Sequence, residues 1–75
     1  MIKELDSIVL KCDLPDLGLA SGDLGTVVMV HAGGAGYEVE FVALDGETLA
    51  VTTLAADQVR PITPREIAHA RRVAA

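Results

Sequence analysis

The clearest pattern in the chain is an alternation of apolar and acidic residues in the hexapeptide Tyr-Glu-Val-Glu-Phe-Val near its middle. Successive side chains of an extended segment point to opposite sides, so Tyr37, Val39 and Phe41 share one side while Glu38 and Glu40 share the other. The alternation predicts a strand that buries its apolar side and presents two carboxylates to water.

Four other segments have the composition of strands, because β-branched and apolar residues dominate them and turn-forming residues separate them. Asp45-Gly46 is a hairpin signal. Pro61 lacks an N–H group and marks the last strand as an edge strand or its end. The five predicted strands span residues 6–12, 26–31, 37–42, 47–54 and 59–61.

The connections between these strands differ in length and character. Residues 32–36 are a glycine-rich hairpin loop, which opens a strand and lacks the lysine and helix of a phosphate-binding loop. Residues 55–58 are too few for a helix and predict a single tight turn. Three leucines of the long loop 13–23 are expected to fold back and plug one end of a barrel: Leu14, Leu17 and Leu19.

The C-terminal segment changes period and carries a helix start. Thr63 is placed as the N-cap, Pro64 as the first helical residue, and Glu66 closes a capping box. Ile62 and Ile67 are spaced for a hydrophobic staple. The predicted helix runs from about residue 64 to 73, with a narrow apolar stripe of Ile67, Ala70 and Val73.

Five short strands with hairpin-type links predict a mainly β fold, a five-stranded SH3-like small antiparallel barrel with a short C-terminal α-helix. Residues 1–62 would form the barrel and residues 63–75 the capped helix packed on it. The alternative is an open meander that carries a packed helix.

Composition narrows the classes of function. The chain has 75 residues and a net charge of −5, the wrong sign for a protein that binds phosphate backbones or anionic lipid. A single cysteine, Cys12, excludes an internal disulfide and a zinc module. Because the start of the chain lacks a signal-peptide pattern and no apolar run approaches about 20 residues, we expect a cytoplasmic protein.

The sequence shows no constellation for catalysis or cofactor binding. His31 and His69 have no ligand or nucleophile at a useful spacing, so we expect a solvated strand end and an exposed helix position. Cys12 falls on the apolar side of its strand, where a buried thiol is the expected state. No catalytic, cofactor-binding or metal-ligating residue is therefore predicted.

Four acidic residues form the candidate partner-binding patch: Glu38, Glu40, Asp45 and Glu47. Such a patch could also serve general acid–base chemistry or hold a divalent cation. A solvated strand face is the simpler interpretation, because neighbouring like charges on an exposed face merely repel one another.

Charge is divided unevenly along the chain. Residues 1–57 carry ten acids against two lysines, a net charge of −8, whereas residues 58–75 carry four arginines against one glutamate, a net charge of +3. We expect the basic tail to dock on the acidic body of its own chain or of a neighbour. An RNA-binding use would rely on Arg60, Arg65, Arg71 and Arg72, which lack aromatic partners for base stacking.

Two resemblances extend this interpretation. Residues 22–30 resemble the glycine-centred β motif of KOW-type modules and other SH3-like barrels, including that of nitrile hydratase β subunits. Six segments together resemble short bacterial proteins of the domain of unknown function 4926 family: residues 13–15, 17–19, 22–28, 36–41, 45–46 and 59–61. That family implies an SH3-like barrel with no assigned activity and no catalytic residues to carry over.

These observations lead to one expected function and two alternatives. We expect a non-enzymatic, protein-binding module that meets a partner with a basic surface, such as a toxin or an enzyme. The family resemblance implies an antitoxin-like or immunity-like companion of a larger bacterial protein. Because a chain of this size buries a small core, we expect a monomer or a weak homodimer. The alternatives are an RNA-binding KOW-like barrel and a small metal-binding or enzymatic protein.

Overall fold

The computed structural model describes residues 1–73, whose strands form one five-stranded antiparallel sheet. The strands are β1 (Ser7–Leu10), β2 (Leu24–His31), β3 (Gly36–Val42), β4 (Thr48–Ala55) and β5 (Val59–Pro61). Their order across the sheet is β4-β3-β2-β1-β5. The mainly β fold class and all five predicted strands are confirmed, with each strand end within two residues of its prediction.

The predicted closed barrel is wrong, because β4 and β5 form the two edges of the sheet and do not pair with each other. The structure instead has an open sheet, as in the alternative prediction of an open meander. A 3-10 turn at Ala56–Gln58 joins these strands, as the tight-turn prediction requires. β5 has only three residues and ends at Pro61, which has no N–H to donate. β5 therefore has few backbone groups with which β4 could form the hydrogen bonds that would close the sheet.

The core lies on one face of the sheet and is built from aliphatic residues around two aromatic ones. Alternate residues of β3 are buried, as the hexapeptide predicts. Leu19 of the long loop is 5% exposed and Leu14 packs against the core, but Leu17 is exposed. The buried cluster comprises Ile8, Leu10, Leu19, Val27, Tyr37, Val39, Phe41, Leu54 and Val59.

The predicted C-terminal helix is also wrong, since no α-helix occurs within residues 1–73. All residues from Pro61 to Arg72 are exposed, and Ile67, at 90% exposure, forms no staple. An isolated helix of about ten residues is marginal in water without an apolar face to bury. Ala74 and Ala75 of the predicted element lie outside the described residues.

Only the first turn of the predicted helix forms. The N–H of Thr63 donates to Glu66 Oε1 at 2.8 Å, and the N–H of Glu66 donates to the Thr63 carbonyl at 3.2 Å. Arg60 at the edge strand donates to both oxygens of the same carboxylate, at 2.9 and 2.6 Å. These hydrogen bonds, chiefly those from Arg60, lower the pKa of Glu66 from 4.5 to about 2.

One glycine of β2 leaves room for two core side chains of β3. A Cβ atom on Gly25 would lie 2.5 Å from Cγ1 of Val39 and 2.9 Å from Cε1 of Phe41. Both neighbours are fully or almost fully buried, so neither has space to move into. The position requires the absence of a side chain, although the backbone of Gly25 has no unusual dihedral angle.

Gly25→Ala should lower the free energy of unfolding by about 1–3 kcal/mol, because the added methyl group overpacks the core. Chemical denaturation would measure the change. Val28→Ala is the control: it trims an exposed side chain of the same strand and should change stability by less than about 0.5 kcal/mol. Equal stability of Gly25→Ala and the wild type would contradict the packing described.

Arg60→Gln should raise the pKa of Glu66 above its native value of about 2, with the Thr63 N–H still holding it below 4.5. The native pKa lies below the unfolded one, so ionised Glu66 stabilises the turn above about pH 4.5. That contribution disappears as pH falls toward about 2. NMR titration of the carboxyl carbon would measure the shift. Arg65→Gln should leave the pKa unchanged, and a native Glu66 that titrates near 4.5 would contradict the structure.

Candidate functional site

The face of the sheet opposite the core presents two cross-strand rows in which a carboxylate occupies the centre. Glu38 on β3 pairs with Met29 on β2 and Thr53 on β4, and Glu40 pairs with Thr26 and Val51. Directly opposed residues in antiparallel strands share a face, so each row is one continuous strip. We name this surface the acidic face, defined as Thr26, Met29, Glu38, Glu40, Val51 and Thr53.

Threonine hydroxyls of β4 hold the two carboxylates in place. Thr53 Oγ1 donates to the carboxylate of Glu38, and Thr48 Oγ1 donates to Glu40 Oε2 at 2.8 Å. Met29 and Val51 beside them are 50% and 54% exposed. The acidic face therefore combines oriented negative charge with apolar surface that is open to a partner.

The other two acids of the predicted patch lie at the connection between β3 and β4. Asp45 Oδ1 accepts a hydrogen bond from the N–H of Glu47 at 3.0 Å, which stabilises the hairpin turn. Both side chains line a groove of about 760 Å³ that reaches Leu19 and Phe41 at the end of the core. The structure thus divides the predicted patch into two pairs with different surroundings.

The structure does not bring the two acidic pairs together into one cluster of potential metal ligands within residues 1–73. Among residues 1–73, no group of three or more His, Cys, Asp or Glu side chains is arranged to hold a metal ion.

The amide nitrogen of Gln58 lies 3.6 Å from the Cys12 sulfur, and this thiol packs half-buried against the core. The side-chain amide of Gln58 cannot act as a base that deprotonates the Cys12 thiol.

The basic tail joins the acidic body of the same chain through Arg71. Its Nε donates to Asp23 Oδ1 at 2.8 Å, and its Nη2 donates to Asp23 Oδ2 at 2.6 Å and to the Gly18 carbonyl at 2.9 Å. These bonds, more than the N–H of Ala20, keep the pKa of Asp23 below 3.8. The side chain of Asp23 is 17% exposed and that of Arg71 is 40% exposed, so the ion pair is shielded from solvent mainly on its acidic side.

Two of the four arginines considered for RNA binding are therefore engaged within the chain. Arg60 binds Glu66 and Arg71 binds Asp23, which leaves Arg65 and Arg72 on the exposed part of the tail. Of the two histidines, His31 is half-buried at the end of β2 and His69 is exposed.

Sequence reasoning did not identify Asp23 as a binding residue, because its position before β2 indicated only a turn. The available signal was the uneven division of charge, which predicted a contact between tail and body. It could not select Asp23 among ten acids, since that choice depends on where the long loop ends in space.

Within residues 1–73, no helix has the length and apolar character needed to cross a membrane.

Comparison with known proteins identifies the family of the chain. No curated protein and no solved structure matches it. The family model described as Domain of unknown function (DUF4926) matches residues 4–61, from before β1 to the end of β5. The tail that carries Glu66 and Arg71 lies beyond this match. The chain belongs to the DUF4926 family.

Proposed function

We propose that the chain is a non-enzymatic protein-binding module whose acidic face binds a basic surface of a partner protein. The observation that carries the proposal is the pair of carboxylates, Glu38 and Glu40, held by threonine hydroxyls beside exposed Met29 and Val51. Charge complementarity accelerates association and selects the partner. Burial of the neighbouring apolar side chains supplies affinity.

The fixed geometry of the carboxylates supports binding to another protein. A glutamate on an open surface loses side-chain freedom when it enters an interface, which reduces affinity. The threonine contacts of Glu38 and Glu40 already restrict that freedom in the free protein. The net charge of −5 adds long-range attraction for a basic partner.

Within this proposal, the partner is a larger cytoplasmic protein, and the chain is its antitoxin-like or immunity-like companion. We also propose that the fold is related to SH3-like domains. The position of β5 beside β1 in the sheet supports this relationship. RNA binding has less support, because Arg60 and Arg71 already hold carboxylates of this chain.

A double substitution tests the acidic face. The 75-residue chain is immobilised and exposed to a bacterial lysate, and a protein that it retains is identified and purified. Calorimetry then measures the affinity of the chain for that protein. Glu38→Gln with Glu40→Gln should weaken binding at least about tenfold and reduce its salt dependence, because two interfacial charges are lost. The partner should carry an excess of lysine and arginine on its contact surface.

Asp16→Asn with Asp57→Asn is the matched control, since both residues are exposed, lie outside the acidic face and change net charge equally. The control should bind within about twofold of the wild type. Equal weakening by both double variants would reduce the effect to net charge, and unchanged binding by the Glu variant would contradict the proposal.

A further inference from the structure

The long loop before β2 holds two hydrogen-bond acceptors in a fixed arrangement. The Asp23 carboxylate accepts the N–H of Ala20 at 2.8 Å, and the Asp23 carbonyl accepts the N–H of Leu10 at 2.8 Å. Gly18 adopts a left-handed conformation, φ +71°, after the 3-10 turn at Pro15–Leu17, and its N–H donates to the Pro15 carbonyl. The carboxylate of Asp23 and the carbonyl of Gly18 are therefore positioned by the loop itself.

These acceptors match a guanidinium group. Arg71 contacts both carboxylate oxygens of Asp23 and the Gly18 carbonyl through Nε and Nη2, with three distances between 2.6 and 2.9 Å. A planar fork of N–H donors satisfies such a bidentate arrangement, whereas the ammonium group of lysine does not. We name Asp23 and the Gly18 carbonyl the arginine socket.

A groove with both apolar and acidic lining continues from the arginine socket, and Asp45 and Glu47 are among the residues that line it. Arg71 and Val73 both line the groove of about 760 Å³, together with Phe41, Leu44 and Leu49. Leu44 is 97% exposed, so the tail leaves part of this apolar surface uncovered. The tail therefore places an arginine in the socket and an aliphatic side chain, two residues further along, beside the groove.

The socket and its occupant belong to different parts of the chain. Asp23 and Gly18 lie within residues 4–61, which the family model matches, while Arg71 lies beyond them. Residues 67–70, which link the turn at Glu66 to Arg71, are all exposed. The tail thus approaches the socket as an exposed segment that is neither helix nor strand and has little packing of its own.

We propose that the arginine socket and its groove are a binding site for a partner segment of the form arginine, any residue, aliphatic, and that the tail competes for this site within the chain. The inference goes beyond the proposed function, since it assigns a second binding site, distinct from the acidic face, and a means of regulating access to it. A partner segment binds when it displaces Arg71 and Val73. Its arginine then takes the place of Arg71 on Asp23.

Tethering predicts the size of the competition. A tail linked to its own site acts at an effective concentration on the order of millimolar, so it masks the socket from weak ligands. Removing the Arg71 side chain should unmask the socket without altering Asp23. The wild type should therefore bind a free arginine-containing peptide several-fold more weakly than the full-length Arg71→Ala variant.

The probe is a synthetic, end-blocked peptide with the sequence of residues 68–73, Ala-His-Ala-Arg-Arg-Val. NMR titration should show shifts at Gly18, Leu19 and Asp23 of Arg71→Ala, at peptide concentrations at least about fivefold lower than in the wild type. A peptide with lysine in place of its first arginine should bind at least about tenfold more weakly, because it loses the bidentate contact. Arg72→Ala is the matched control and should behave as the wild type.

The proposal is overturned if the peptide causes no shifts in Arg71→Ala at concentrations up to about 10 mM. It is also overturned if Arg71→Ala and the wild type bind the peptide equally, or if adding Asp23→Asn to Arg71→Ala leaves peptide binding undiminished. If Asp23→Asn does not fold, the lysine peptide still reports on the socket. A wild-type dimer that Arg71→Ala dissociates would contradict occupancy by the same chain. This test uses a synthetic peptide and needs no natural partner. A negative result would therefore reject the arginine socket without deciding whether the acidic face binds a partner.

Discussion

The close contact between Gly25 and the buried side chains of Val39 and Phe41 is the constraint on which the rest of the structure depends. Because Gly25 has no side chain, Val39 and Phe41 of β3 pack over the backbone of β2 on the core side of the sheet. A slip of one residue would exchange the two faces of β3 and bury Glu38 and Glu40. The cost of burying unpaired carboxylates excludes that register. Core packing thus places the acidic face.

The same contact also determines where the arginine socket lies. Asp23 comes two residues before Gly25, so its carboxylate is held at the start of a strand whose position the core decides. The long loop then returns to the sheet at Leu19, which is buried, and carries the Gly18 carbonyl toward Asp23. Two surfaces with separate chemistry, the acidic face and the socket, therefore share one structural origin.

The C-terminal segment illustrates how local signals depend on their surroundings. The capping residues Thr63 and Glu66 form their hydrogen bonds, but the helix that they should begin does not follow. Capping satisfies a few backbone groups, whereas propagation needs an apolar face to bury, and the stripe of Ile67 and Ala70 is too narrow. Glu66 holds Arg60 at one end and Asp23 holds Arg71 at the other. Two ion pairs therefore tie the exposed tail to β5 and to the loop before β2.

The sequence by itself determined the five strands, because alternation in β3 and β-branched composition elsewhere are local properties that any packing must respect. It also determined the acidic character of the outer face of β3 and the opposite charge of the tail. Only the tertiary structure decided that the sheet stays open, that Asp45 and Glu47 separate from Glu38 and Glu40, and that Arg71 reaches Asp23. These outcomes depend on contacts between residues far apart in the chain. Arg71 and Asp23 are 48 positions apart, a separation over which no periodicity or capping motif carries information.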